Sequence, residues 1–251
     1  MSRKAMSRKA LATLTLAAVA GAMAVILAPW ASGAPSSGSA CGTSYAPVLD
    51  PANFVTVIDN PYFPLPVGRT LVYTGVKDGQ TQTDTVTVTD QKKVILGITA
   101  TVVRDIATHD GTVLERTFDF YAQDGQGNVW YLGEDTTAFL PNGKTDTSGS
   151  FLAGVDGAQP GIIMEADPQI PDSYRQECYT GQAEDTAWVV ATSGSVTVPY
   201  GKVRNVLTTL ESTRLEPGAY DEKIYGPGIG IVSERSLTGP NELAQLVSVS
   251  R

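Results

Sequence analysis

The side chains able to do chemistry fall into two stretches of this 251-residue chain, 121–135 and 174–185. In the first, the neighbours Trp130 and Tyr131 are followed by the carboxylates Glu134 and Asp135. An aromatic ring flanked by carboxylates suits a sugar, whose axial hydrogens pack on the ring while its hydroxyls bond to the carboxylates. The same pattern suits a core residue at a polar strand end. In the second stretch, Glu177 and Glu184 are spaced to share one face of a helix, with Arg175 nearby as counter-charge. Two carboxyls on one face perturb each other's pKa and supply an acid/base pair of the kind that cleaves glycosidic bonds. An exposed, charge-compensated helix face gives the same spacing. Asp124, Gln126 and Asn128 hold the first, third and fifth places of a calcium-loop spacing, and Asp135 the twelfth. Val129 stands at the sixth, where a glycine is needed, so no metal site is expected.

The single histidine, His109, lies in the turn signal His109-Asp110-Gly111. One imidazole excludes His-rich metal sites and leaves a Ser-His-Asp triad a single possible base. No catalytic set is recognisable and no cofactor is expected. The two cysteines, Cys41 and Cys178, are expected to form a disulfide. The bridge would close a loop of about 137 residues, worth up to about 4 to 5 kcal/mol in the chain-entropy model.

That expectation follows from the compartment. Residues 1–9 carry Arg3, Lys4, Arg8 and Lys9 and no acid, residues 10–28 are uncharged, and small residues follow at Ala31-Ser32-Gly33-Ala34. This is the three-part pattern of a secretory signal, cut between about 33 and 40. Lipidation at Cys41 is disfavoured, because Gly38-Ser39-Ala40 lacks the large aliphatic residue expected at its first position. The protein is read as secreted, with no stable membrane span once the signal is removed. The whole chain has 18 Lys and Arg against 26 Asp and Glu. Without the four leader cations 14 remain against the same 26, a net charge near −12, which excludes nucleic acid as a partner.

The elements that must position these residues read as β-structure. Residues 34–68 form a Gly/Ser-rich flexible leader and a proline-rich lead-in, and 69–251 a single β domain. Period-2 runs at 70–76, 81–89, 94–106, 113–122 and 129–132, separated by Asp-Gly turns, make an antiparallel meander. Phe118 and Phe120 face one side, and Trp130 and Tyr131 opposite sides. Residues 140–174 are Gly/Pro-rich, 176–191 is the best helical candidate, and strand patterning returns at 195–198, 203–212, 222–225, 229–237 and 243–249. So many strands must curl, giving a mainly β fold: a strongly curved antiparallel sheet, half-barrel or open barrel, with at most one or two short helices.

Two segments carry a resemblance. Tyr62-Phe63-Pro64-Leu65-Pro66-Val67-Gly68-Arg69-Thr70-Leu71-Val72-Tyr73 resembles the opening of several bacterial exported proteins of unknown function. Val198-Pro199-Tyr200-Gly201-Lys202-Val203, with Ile224-Tyr225-Gly226-Pro227-Gly228-Ile229-Gly230-Ile231-Val232, is similar to their closing strands. Those proteins are related in shape to lipoprotein-carrier half-barrels, which implies one sheet wrapped around an apolar ligand or acyl chain. The resulting expectation is a non-enzymatic binding or carrier protein. A small apolar or amphipathic molecule would lie on the concave sheet, held by Phe118, Phe120, Tyr121 and Trp130, with Arg175 and Glu177 as polar rim groups. The alternatives are a structural or interaction protein meeting a cell-envelope component, and an extracellular carboxylate-dependent hydrolase acting on glycans.

Overall fold

The computed structural model describes residues 45–77, 79–239 and 241–251. The leader, Cys41 and Asp78 lie outside them. A 3-10 turn (Pro51–Asn53), N-capped by the Asp50 side chain, precedes the short β1 (Phe54–Val55). Residues 56–69 form neither strand nor helix, as Pro61, Pro64 and Pro66 withhold ladder donors. Five long strands then alternate in direction: β2 (Thr70–Lys77), β3 (Gln80–Ile95), β4 (Ile98–His109), β5 (Thr112–Asp124) and β6 (Val129–Phe139). Shorter elements follow as β7 (Thr145–Asp146), β8 (Phe151–Leu152), β9 (Gln159–Met164), β10 (Ser173–Arg175) and β11 (Glu177–Cys178). The remainder comprises β12 (Asp185–Ala191), β13 (Ser195–Val198), β14 (Gly201–Arg204), β15 (Leu207–Thr213), β16 (Tyr220–Gly226), β17 (Gly230–Thr238) and β18 (Glu242–Ser250).

The expected curved antiparallel sheet is present. Its order is β10-β12-β15-β16-β17-β18-β2-β3-β4-β5-β6-β9-β11, so β18 joins the two strand groups through β2, and β13 and β14 form a separate hairpin. The two ends of this order, β10 and β11, are consecutive pieces of chain with only Gln176 between them. Tyr174 pairs with Ala187 on one side, and Glu177 pairs with Pro160 on the other. The Gln176 amide donates to Asp185 O at 2.9 Å. The sheet thereby closes, nearly, into a barrel.

Three readings need correction. The helical candidate 176–191 is extended: Glu177 lies in β11 and the Thr-Ala-Trp-Val-Val run in β12, where β-branched residues pack on the pleat. The run 94–106 is two strands, because Leu96 and Gly97 take φ of 52° and 81° and turn the chain back. Residues 203–212 divide into β14 and β15 around Asn205, which has φ of 56°. The His109-Asp110-Gly111 turn forms as expected, with Asp110 and Gly111 at 48° and 78°.

Two apolar layers result. The larger fills the barrel interior and includes Leu71, Tyr73, Val103, Tyr121, Tyr131, Met164, Leu207, Tyr225 and Leu246, drawn from all around the sheet. The smaller lies on the outer face of β3 to β6, where Ile98, Val102, Phe120 and Leu132 are covered by Leu49, Phe54, Leu152 and Ala153.

Candidate functional site

The proline-rich lead-in caps one end of the barrel. Ile58 and Phe63 join the interior cluster, and the Phe63 ring meets Tyr121 edge-on with centroids 5.2 Å apart. Buried Asn60 ties this segment down: Nδ2 donates to Gly127 O and Glu165 O, each at 2.9 Å, while Oδ1 accepts from the amides of Tyr62 and Phe63. Gln123 Oε1 accepts the amides of Asp59 and Asn60, and Arg69 donates to Gly228 O at 3.0 Å. All the polar groups of Asn60 are used, so the cap is a built feature.

Alternation along each strand decides what faces inward. On β5, Thr117, Asp119 and Tyr121 point into the barrel, and Phe118 and Phe120 point out. On β6 the inward phase changes once. Tyr121 pairs with Tyr131 and Asp119 with Glu134, so β6 carries an extra residue opposite Phe120. This bulge contains Gly133, at φ of 138°, where a side chain would meet Phe151 O at 2.5 Å. Beyond it Glu134 and Thr136 face inward, and Thr136 bonds Thr117 across the strands.

The interior is polarised along the barrel axis. The half beneath the cap is apolar and tyrosine-rich. The opposite half is acidic: Asp84, Asp105, Glu115, Asp119, Glu134, Glu177, Asp185, Glu211 and Glu234 are all buried. Cations are scarce there. Lys223 Nζ lies 2.8 Å from Glu211 Oε2 and 3.9 Å from Glu234 Oε1, and Lys77 is taken by Glu242 at 2.9 Å. Thr209 and Tyr225 donate to Glu211 Oε1 at 2.8 and 3.2 Å, and Tyr131 donates to Asp119 Oδ1 at 2.8 Å. Neither oxygen of Glu177, at 0 % exposure, has a hydrogen-bond partner.

An ionised carboxylate buried without a partner costs several kcal/mol, which favours the protonated form of a carboxyl so placed. Burial, reinforced by neighbouring carboxyls, pushes Asp119, Glu134 and Glu177 well above the usual range. Burial pushes Asp84 up to about 6, although hydrogen bonding with Asp105 opposes the rise. Asp185 is pushed to about 7 and Glu234 to about 8 by burial, despite the opposing charge of Lys223.

Between cap and wall lies a cleft of about 40 Å³, enough for about three waters or a small ligand fragment. Phe63, Leu65, Leu71, Val86, Ile229 and Ile231 are among its walls, Tyr73 and Tyr121 flank it, and Asp105 and Asp119 are the acidic residues that line it among the described residues. A wider, open groove of about 590 Å³ lies outside, between residues 48–55 and the β5–β6 turn, and includes Trp130. Its carboxylate Asp124 is already committed, accepting from the amides of Gln126 and Asn128, from Asn128 Nδ2 and from Trp130 Nε1. Burial alone would raise Asp124, but these bonds outweigh it and hold the carboxyl low.

The six residues expected to hold a ligand on one concave face are divided between two. Tyr121 and Glu177 are interior. Phe118, Phe120 and Trp130 lie in the outer layer, where Lys93 Nζ sits 4.0 Å from the Phe120 centroid and Arg116 lies over Phe118. Arg175 covers the Tyr45 ring at 5.6 Å, away from Glu177, because the chain changes partner at Gln176. Glu177 and Glu184 do not form a facing pair; Glu184 accepts from the Gly181 amide and lies 3.9 Å from Arg214. His109 Nδ1 bonds Thr81 O at 2.6 Å. Cys178 is buried and is not a free thiol. Among the described residues no group of three His, Cys, Asp or Glu is placed to hold a metal ion, and no helix is long and apolar enough to cross a membrane.

No family profile and no curated protein sequence matches the chain. Two solved structures follow a similar path. A Bacteroides fragilis protein, provisionally assigned as exported and having a YmcC-like fold, is 14 % identical with a TM-score of 0.45, over 76 % of this chain and 99 % of that one. A provisionally assigned lipoprotein of Parabacteroides distasonis is 10 % identical with a TM-score of 0.41, over the same shares.

Proposed function

We propose that this is an exported, non-enzymatic binding protein that holds a small amphipathic molecule inside the barrel. The leader at 1–33 would direct export, and burial of the ligand's apolar body against the cleft wall would supply affinity. One observation carries the reading: a cleft with apolar walls ends at two carboxyl-bearing residues, Asp105 and Asp119, within an interior that has more acids than cations. Mass measured under native and then denaturing conditions, on protein purified from its own host, tests it. A small species that leaves on denaturation supports the reading, and Ile231→Trp, which fills the cleft, should abolish it. A bare polypeptide that also takes up no small apolar probe would overturn it.

The outer groove favours a second reading, contact with a cell-envelope component. Val48 is 97 % exposed at its rim and Trp130 forms part of its wall. Trp130→Ala should then reduce retention with cell-wall fractions while leaving export intact. Undiminished retention would remove this reading.

A further inference from the structure

We infer that the polar end of the bound molecule is a primary ammonium group, an assignment that rests on the binding reading above. The interior offers acceptors in excess of donors. Around Asp119 stand Asp105 on β4, Glu115 on its own strand, Glu134 on β6 and Glu177 from the seam, and the hydroxyl of Tyr131 donates to it. Glu177, fully buried with neither oxygen hydrogen-bonded, feels the charges of Asp185 and Lys223 as well as that of Asp119. A neutral hydroxyl would bring one donor and no charge. A carboxylate or phosphate would find no cation among the residues lining the cleft. An ammonium brings three donors and a positive charge beside which a carboxyl can ionise.

The walls fit the rest of such a molecule. Tyr73 and Tyr121 present aromatic surface beside the carboxyl floor, where a cation gains from the ring quadrupole. The apolar residues above them accept a short hydrocarbon body. The cleft of about 40 Å³ favours a small monoamine over a long polyamine.

Proton balance gives this assignment a signature. Burial raises the Asp119 carboxyl well above the usual range, so an incoming R–NH3⁺ pairs with a carboxylate there only when the carboxyl proton leaves to solvent. Binding should therefore release about one proton per amine.

The test is calorimetry on the full exported protein with ethylamine, ethanol and acetate, in two buffers of different ionisation enthalpy. Ethylamine should bind at least about tenfold more tightly than ethanol, as a charge-assisted hydrogen bond would give. It should release a proton, and acetate should not bind. In Asp119→Asn, which keeps an acceptor for Tyr131, the amine and alcohol affinities should converge; Glu177→Gln serves the same purpose if that variant does not fold. Equal or weaker binding of the amine in the parent protein overturns the ammonium assignment and leaves the binding reading standing. If none of the three probes binds and the protein from its own host carries no small species, both fall.

Discussion

The phenol of Tyr131 donates to Asp119 Oδ1 at 2.8 Å, joining the apolar and acidic halves of the barrel interior. The same ring stacks on Tyr121 at 4.9 Å and meets Phe151 edge-on at 5.3 Å. Its aromatic body thus belongs to one half and its polar tip to the other.

Tyr131→Phe should keep the stacking and remove the bond. A buried acceptor then loses its donor, and the fold should lose about 1 to 3 kcal/mol. Urea unfolding at fixed pH measures this; an unchanged midpoint would show that water replaces the phenol.

Stability should fall as pH rises. Asp84, Asp185 and Glu234 are pushed by burial to about 6, 7 and 8, so the folded chain keeps protons that the unfolded chain releases above about pH 4. A raised carboxyl contributes stability that is fully present below its unfolded pKa and lost as pH climbs through its folded value. Tm should be higher at pH 5 than at pH 8.5. Asp124 and Asp146, held low mainly by hydrogen bonds, act in the opposite sense, but only below about pH 4.

Lys223→Met should cost about 3 to 5 kcal/mol, because it strips the ammonium from a buried pair and leaves Glu211 facing Glu234 and Asp185. The loss should be larger at pH 8 than at pH 5, since neutralising the orphaned carboxyl cluster by proton uptake costs less at low pH. Denaturant titrations at the two pH values compare them.

Asn60→Ala should free the cap before it unfolds the barrel. Four hydrogen bonds vanish at one side chain. Amides at 62, 63 and 65 should exchange faster in deuterium, while those of β3 to β5 stay protected. Uniform loss of protection would mean that the cap is integral to the global fold.

If Cys41 pairs with Cys178, as expected from the secretory-type leader sequence, the unreduced protein should weigh two mass units less than the reduced one. A thiol reagent that labels the denatured, unreduced chain would exclude the bridge.

The meander was legible because Thr/Val alternation and Asp-Gly turns write strand period and reversal directly into β3, β4 and β5. Periodicity separates the two faces of a strand without saying which is inside. On β5 the aromatic face of Phe118 and Phe120 reads as the natural interior, and Glu115, Thr117 and Asp119 read as solvent-facing. The order is reversed because residues 49–54 and 151–153 cover the aromatic face from outside. No local pattern announces that cover, nor the bulge at Gly133 that turns Glu134 inward. The 176–191 segment misled for a related reason: its Glu spacing matches a helix, whereas its pairing is set by distant strands β9 and β15.

The seam at Gln176 also fixes the circumference of the barrel. Because Ser173–Arg175 and Glu177–Cys178 are ladders made by one continuous stretch, their separation is a covalent length and not an adjustable contact. The ring cannot dilate sideways without tearing one of the two ladders. Any opening of the interior is therefore axial, at the end that Phe63 closes.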